Sequence, residues 1–395
     1  MANLRYGVVT FKGEQVGILS EEAGGGTRFA YNDDATRPIA CVLPVTRKIH
    51  EYPYGLHPFF AHLGPEGWLL NRQSAYADID KNDDFGILLA FGADCIGAVG
   101  IVDPGQSHER VTLRQGVAAL DRAAVAAERT ISGVQAKILC TINGAGGYKP
   151  AGDDDPAPII AKYPSEQLPD MVANEATSLE LLRILLGENE VASARLAAVE
   201  GVEGLAILVD RFDRHGRDKL RCEDFAQVIA QPAGIDHQGK YEVGYGAIAR
   251  ALSHSDFRLI DARRFFKRLA AYVILGNVDC HLKNWSLLET EDGLRLSPAY
   301  DVLNGYIYGA EGYTTRFGLR IGEDRLQWES YDRDLLLEIA RQIDLPKRAA
   351  EGALAELKKR EKPLSKRLEA SLALVEQRSW DYRNCVNSAW ERIHG

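Results

Sequence analysis

Two side chains five residues apart, Asp279 and Asn284 in NVDCHLKN (277–284), have the types and spacing of a loop that serves phosphoryl transfer. That chemistry needs a carboxylate to position or deprotonate the attacking hydroxyl. It also needs oxygen ligands for the Mg²⁺ that neutralises charge on the phosphates. A third group of the right type, Asp301 in SPAYD (297–301), follows across a hairpin signalled by Glu291-Asp292-Gly293. The spacing alone is weak, since 28 Asp and 12 Asn in 395 residues give roughly one D-x-x-x-x-N pair by chance. Context makes it specific. The pair directly follows an amphipathic stretch, DARRFFKRLAAYVILGN (261–277), in which Phe265, Leu269 and Tyr272 share a helix face and Asp261 is the expected N-cap.

Inside the loop, His281 either orients the backbone by a structural hydrogen bond or takes part in proton transfer, the first being the simpler reading. Lys283 either meets the transferred phosphate or faces water. A nucleotide would also need a cation from a β-rich region, and Lys162 in the apolar run PIIAKYP (158–164) fits, because burying a lysine there is otherwise costly. Glu175 at the start of the next helix is its candidate partner, or simply a carboxylate favoured by the helix dipole. The loop TISGVQAK (130–137) has a single glycine, so it is neither a P-loop nor a GxGxxG loop. Asp210 and Phe212, in LVDRFDR (208–214), stand where a strand exits. They could hold an adenine or form a plain salt-bridged strand end.

Elements of two kinds must position these groups. Residues 4–44 alternate apolar and polar positions with Gly and Asn/Asp turns between them, as short antiparallel strands do. Short helices are expected over 56–63, after Pro65, and over 83–93 with Asp83 as cap, and a strand over 95–103. Pro104-Gly105-Gln106-Ser107 and the Ala/Arg-rich 117–129 read as a connection. A strand-turn-strand pattern begins at 130, a helix runs from Asn174 to Gly187, and a strand covers 205–214. The rest is mainly helical. The expected fold is therefore α+β, a bilobal kinase-like arrangement with a small β-rich N-terminal subdomain (1–104), an N-lobe carrying the nucleotide loop (105–214) and a helical C-lobe with the catalytic loop (215–395).

Composition sets outer bounds. Apolar residues make up 46% and charged residues 26%, the globular range, and no apolar run reaches membrane-spanning length, so a cytoplasmic protein is expected. The six cysteines are at least 45 residues apart, without CxxC spacing, and read as reduced small hydrophobes. A net charge of −9 argues against a chain that grips a phosphate backbone itself.

Taken in order, TISGVQAK, PIIAKYP, NEATSLELL (174–182), LVDRFDR, RCEDFAQ (221–227), NVDCHLKN and SPAYD resemble the motifs of HipA-type toxin kinases. LHPFFAHLGPEGWLLNRQ and DFGILLAFGADCIGAVG are similar to that family's N-terminal subdomain. The resemblance implies an ATP- and Mg²⁺-dependent serine/threonine protein kinase of a bacterial type II toxin–antitoxin pair. Such a toxin is neutralised by a HipB-like helix-turn-helix antitoxin, meets DNA only through that antitoxin, and has aminoacyl-tRNA synthetases as known targets. It implies Asp279 as catalytic base and Asn284 and Asp301 as metal ligands. Nucleotide contacts would come from Ser132, Gly133, Val134, Gln135, Lys137, Lys162, Asp210, Phe212 and Tyr300. Loop autophosphorylation recurs in the family, and here both Thr130 and Ser132 are available. The rival readings are a small-molecule kinase of the antibiotic-phosphorylating sort, and a silent corepressor that only bridges an antitoxin.

Overall fold

A computed structural model describes residues 4–105, 118–125, 129–152 and 155–395 of the chain. Of the expected connection, residues 106–117 and 126–128 lie outside the described residues. The chain forms two compact units, residues 1–165 with 197–237, and residues 166–196 with 238–395. The sequence divisions at 104/105 and 214/215 both fall inside the first unit. The fold is α+β, β-rich in the N-terminal region and helical in the C-terminal region.

In the first unit, the period-two alternation of 4–44 produces β1 (Tyr6–Phe11), β2 (Glu14–Glu21) and β3 (Thr27–Tyr31), joined by β4 (Ile49–Tyr52) and β5 (Val99–Val102). They form an antiparallel sheet in the order β4-β3-β2-β1-β5. One face packs Val9, Phe11, Leu19, Phe29 and Ile101 against Phe59 and Phe60 of α1 (Pro58–Ala61) and Leu88 of α3 (Asp84–Phe91); α2 (Gly67–Ala77) lies between these helices in sequence. Asp83 caps α3 as expected, accepting from the Gly86 amide at 2.9 Å. A second sheet, ordered β7-β6-β8-β10-β9, comprises β6 (Lys137–Ile142), β7 (Tyr148–Pro150), β8 (Ile159–Lys162), β9 (Ala194–Val199) and β10 (Val202–Asp210). Its core of Ile138, Cys140, Ile159, Ala161 and Leu208 is covered by Leu69 of α2 and by Ala124 and Val125 of α4 (Ala119–Val125), a helix within the stretch read as a connection.

A buried charge network joins the two sheets. Asp213 accepts from Arg211, from Arg214 at 2.8 Å, and from the Gly97 amide at 2.7 Å. Arg214 also reaches Asp94 at 2.8 Å, and Lys219 reaches the same carboxylate at 2.7 Å. Gly97 holds φ at +81°, and a Cβ there would lie 2.6 Å from the Cys222 carbonyl, so only glycine admits this approach.

The second unit is built around α8 (Arg258–Leu275), preceded in the chain by α5 (Met171–Leu186), α6 (Phe225–Val228, in the first unit) and α7 (Gly246–Leu252). From Arg268 onward every residue of α8 is buried, as a central helix requires. Helices α9 (Arg333–Gln342), α10 (Lys347–Lys358), α11 (Glu361–Ser371) and α12 (Ser379–His394) follow. Asp261 is not the N-cap of α8. The helix begins at Arg258, and Asp261, fully buried in the first turn, accepts from Ser255 Oγ at 2.6 Å, Arg264 at 2.8 Å and the Leu296 amide at 2.9 Å. Burial pushes this carboxyl up, but hydrogen bonds from Arg295, Ser255 and the Leu296 amide outweigh it and hold it below its ordinary range. Asp261 thus ties the helix to the hairpin of Ser286–Thr290 and Gly293–Leu296. A second buried polar network links α5 to α12. Asn174 donates to the Asn304 carbonyl and to Tyr308 Oη, both at 3.0 Å, and Ser178 Oγ pairs with Tyr382 Oη at 2.7 Å. Among the described residues no helix is long and apolar enough to cross a membrane.

The charge network predicts an acid-sensitive step. Burial pushes Asp94 up, while Arg214, Lys219 and Arg211 overcome that and hold it down at about 2. Its folded pKa therefore lies below the unfolded value of about 3.9. The stabilisation is complete above about pH 4 and is lost as pH falls through about 2, with a size of about 2 kcal/mol. Acid titration of thermal stability should show this loss, and Asp94→Asn should lower stability at pH 7 while flattening the profile between about pH 4 and 2.

Candidate active site

The helix α8 ends at Gly276, whose φ of +69° turns the chain out into 277–284. The turn Leu282–Asn284 is 3-10 and buried, and Asn284 N donates back to the His281 carbonyl at 3.0 Å. Asn284 Nδ2 donates to the Asp279 carbonyl at 2.6 Å, so the five-residue spacing is the span of one closed loop. Trp285, fully buried below it, donates from Nε1 to the Cys280 carbonyl at 3.4 Å and packs on Phe265 and Tyr272.

Within this buried frame the Asp279 side chain stays 50% exposed. Its Oδ1 accepts from Tyr241 Oη at 2.5 Å, and His281 Nε2 lies 4.0 Å from the same oxygen. His281 and Lys283 are themselves buried. Tyr300 Oη donates to the Lys283 carbonyl at 2.8 Å and shares a 2.6 Å hydrogen bond with Ser286 Oγ, so this hydroxyl braces the loop from the hairpin side. The next residue, Asp301, has φ at +55°, in the left-handed region. With Asn284 Nδ2 engaged by the backbone, the amide oxygen is the end of that side chain suited to a cation. That oxygen and the Asp301 carboxylate are hard donors of the kind Mg²⁺ accepts, and they would hold the ion with phosphate and water supplying the rest. Among the described residues no group of three His, Cys, Asp or Glu side chains converges to hold a metal by itself.

The remaining candidates, Glu175 excepted, lie in the first unit. Lys137 and Lys162 face each other in the β6–β8 register, and both are buried. Two ammonium groups opposite one another on one sheet face raise the local positive potential. Lys137 Nζ donates to the Ser132 carbonyl at 2.9 Å, curling the loop over the ammonium. Gly133 sits there with φ at +108°, and a Cβ on it would lie 2.3 Å from that nitrogen, which explains the loop's one glycine. Ser132 Oγ donates to Glu66 at 3.1 Å, Gln135 Nε2 to the Tyr163 carbonyl at 2.9 Å, and the Val134 carbonyl accepts from Trp68 N at 3.3 Å. Thr130 is only 1% exposed. Asp210 ends β10 opposite Ile159. The salt-bridged strand end is made by Arg211 and Asp213, the buried neighbours that alternate with Asp210 and Phe212. Glu175 belongs to the second unit. The helix α5 starts at Met171 rather than Asn174, so Glu175 lies fully buried in its second turn, beyond the reach of a simple helix-start effect.

Three participants were missed by sequence reasoning: Tyr241 on Asp279, Glu66 on Ser132, and the Arg211–Asp213–Arg214 cluster. Only the last left a signal, the charge alternation in DRFDR.

Residues 8–102 match the family model described as HipA N-terminal domain, and residues 129–363 match that described as HipA-like C-terminal domain. Y4dM of Sinorhizobium fredii, whose name carries the word kinase, is 30% identical over 78% of this chain and 80% of its own length. The serine/threonine-protein kinase toxin HipA of Shewanella oneidensis is 24% identical over 67% of this chain and 66% of its own. Among solved structures, the complex of Shewanella oneidensis HipA, HipB and operator DNA contains a chain similar in fold, with a TM-score of 0.75, 18% identity, and coverage of 98% of this chain and 97% of that one.

The backbone at Asp301 gives a test independent of activity. A left-handed conformation costs a β-branched residue about 1–3 kcal/mol and costs Asn or Gly little. Asp301→Asn and Asp301→Gly should melt at or above the wild-type temperature, while Asp301→Val should melt several degrees lower.

Proposed function

Because the chain belongs to the HipA family, we propose that it is an ATP- and Mg²⁺-dependent serine/threonine protein kinase and the toxin of a toxin–antitoxin pair. The observation that carries the reading is the loop closed by Asn284 on the Asp279 carbonyl, which leaves a half-exposed carboxylate on a buried support. Asp279 accepts or orients the proton of the acceptor hydroxyl. Asn284 and Asp301 hold Mg²⁺, which when bound neutralises charge on the nucleotide phosphates. Lys162 and Lys137, with the loop of Ser132, Gly133, Val134 and Gln135, hold the phosphates, and Asp210 with Phe212 holds the adenine. His281 orients the loop, Lys283 faces the transferred group, and Tyr300 fixes the backbone between the two metal ligands. The acceptor is a protein, of the aminoacyl-tRNA synthetase class. The controlling partner is a HipB-like helix-turn-helix antitoxin, a pairing supported by the Shewanella complex, with DNA met only through it.

Transfer from radiolabelled ATP should be lost in Asp279→Asn and Asp301→Asn, by a factor of at least about 10³, while both variants keep a cooperative melt. Expressed without an antitoxin, the wild type should arrest growth and Asp279→Asn should not. Wild-type transfer in either variant overturns the site, and equal toxicity of the inactive protein overturns the toxin mechanism.

Of the two hydroxyls in the nucleotide loop, Ser132 is the acceptor for self-phosphorylation, because Thr130 is buried and Ser132 is partly exposed. A phosphate there adds about −1.5 to −2 charges beside Glu66, repelling both that carboxylate and a nucleotide. Mass spectrometry after incubation with Mg-ATP should find phosphate on Ser132, and calorimetry of that form should show weaker ATP binding. Phosphate on Thr130 instead would overturn the assignment.

A further inference from the structure

The Tyr241 hydroxyl lies 2.5 Å from Asp279 Oδ1, although nothing in the sequence links two residues 38 positions apart. Asp279 is half exposed on a loop, and such a side chain samples several rotamers unless something holds it. Tyr241 has what is needed to hold it. Arg325 stacks its guanidinium over the Tyr241 ring at 4.4 Å, and His281 meets the ring edge-on at 4.9 Å, with the planes 79° apart. His281 Nε2 stands 4.0 Å from the same Oδ1, so ring, imidazole and carboxylate form one three-membered cluster.

We propose that Tyr241 is a positioning residue for the base: its hydroxyl fixes Asp279 through Oδ1 and thereby aims the carboxylate at the acceptor hydroxyl. This rests on the reading of Asp279 as the catalytic carboxylate. A carboxylate has two oxygens and about four acceptor sites, so engagement of Oδ1 leaves capacity for the acceptor proton. The ring is clamped by Arg325 and His281, which makes it a fixed support rather than a gate that must swing away before each turnover. His281 gains a defined part in the same cluster. It packs against the ring that orients the base while its Nε2 faces the same carboxylate oxygen.

Tyr241→Phe removes the hydroxyl and keeps the ring in its clamp. In steady-state assays with a protein acceptor and Mg-ATP, it should lower kcat about ten-fold or more, the scale on which misplaced catalytic groups lose rate. KM for ATP should stay within about two-fold and the melting temperature should be nearly unchanged. Arg325→Leu, which releases the ring but leaves the hydroxyl, should lose part of kcat with the same unchanged KM. Independently of turnover, proton NMR should show a downfield, slowly exchanging hydroxyl resonance that disappears in Tyr241→Phe and moves in Asp279→Asn. An equal or higher kcat in Tyr241→Phe, a loss confined to KM for ATP or to melting, or absence of that resonance would each overturn the proposal. Lack of transfer by the wild type with the resonance present would overturn the kinase reading instead, and leave the hydrogen-bonded cluster standing.

Discussion

The hydrogen bond from the Asn284 amide to the Asp279 carbonyl closes a polar loop on the end of an apolar helix, and the second unit is arranged to make that possible. A loop carrying charged side chains is costly to bury, yet one that sways in solvent cannot aim a carboxylate. The chain resolves this by burying the frame and exposing one group. Trp285, Phe265 and Tyr272 pack beneath the loop, Tyr300 supports it from the hairpin, and Asp279 alone among the proposed catalytic side chains stays half in water. Asp261, buried at the far end of α8, ties that helix to the same hairpin. The helix, the hairpin and the loop are therefore tied together by packing and hydrogen bonds.

A related economy governs the first unit. Lys137 and Lys162 are buried opposite each other in a sheet whose core is built mainly of apolar side chains. The side chains of Arg211, Asp213 and Arg214 are buried a few residues from Asp210 and Phe212. The Arg–Asp pairs contribute less to net stability than well-packed hydrophobic side chains would, but removing one partner is expensive because the other is left uncompensated. The arrangement is thus intolerant of partial loss. It fixes the exit of β10, where adenine binding is proposed, to the segment of Asp94 and Gly97 that leads into β5.

The parts of this site that were legible in the sequence are those set by local rules. The five-residue reach of a closed loop, the hairpin turn after Thr290, the Asp83 cap and the alternation of β1 to β3 each depend on neighbours close in the chain. The parts that were not legible depend on distant partners. Asp261 looked like a cap because its type favours caps, and only Ser255 together with the Leu296 amide across the fold shows why it lies inside the helix. Tyr241 gave no signal because its partner is 38 residues away, and the burial of Thr130 is decided by packing. The start of α5 was read at Asn174 instead of Met171, so Glu175 stands in its second turn.

The polar network between α5 and α12 bears on how the protein is made. Ser178 and Tyr382, its paired hydroxyls, are 204 residues apart in sequence. During synthesis the Asn174 and Ser178 side chains emerge long before Tyr382, and a buried polar cluster has no stable place until all its members are present. The second unit, which carries the Asp279 loop, therefore cannot settle into its final packing until α12 has been translated. Each newly made chain passes through an interval in which the first unit's strands through β8 can already pair while the second is still unfinished.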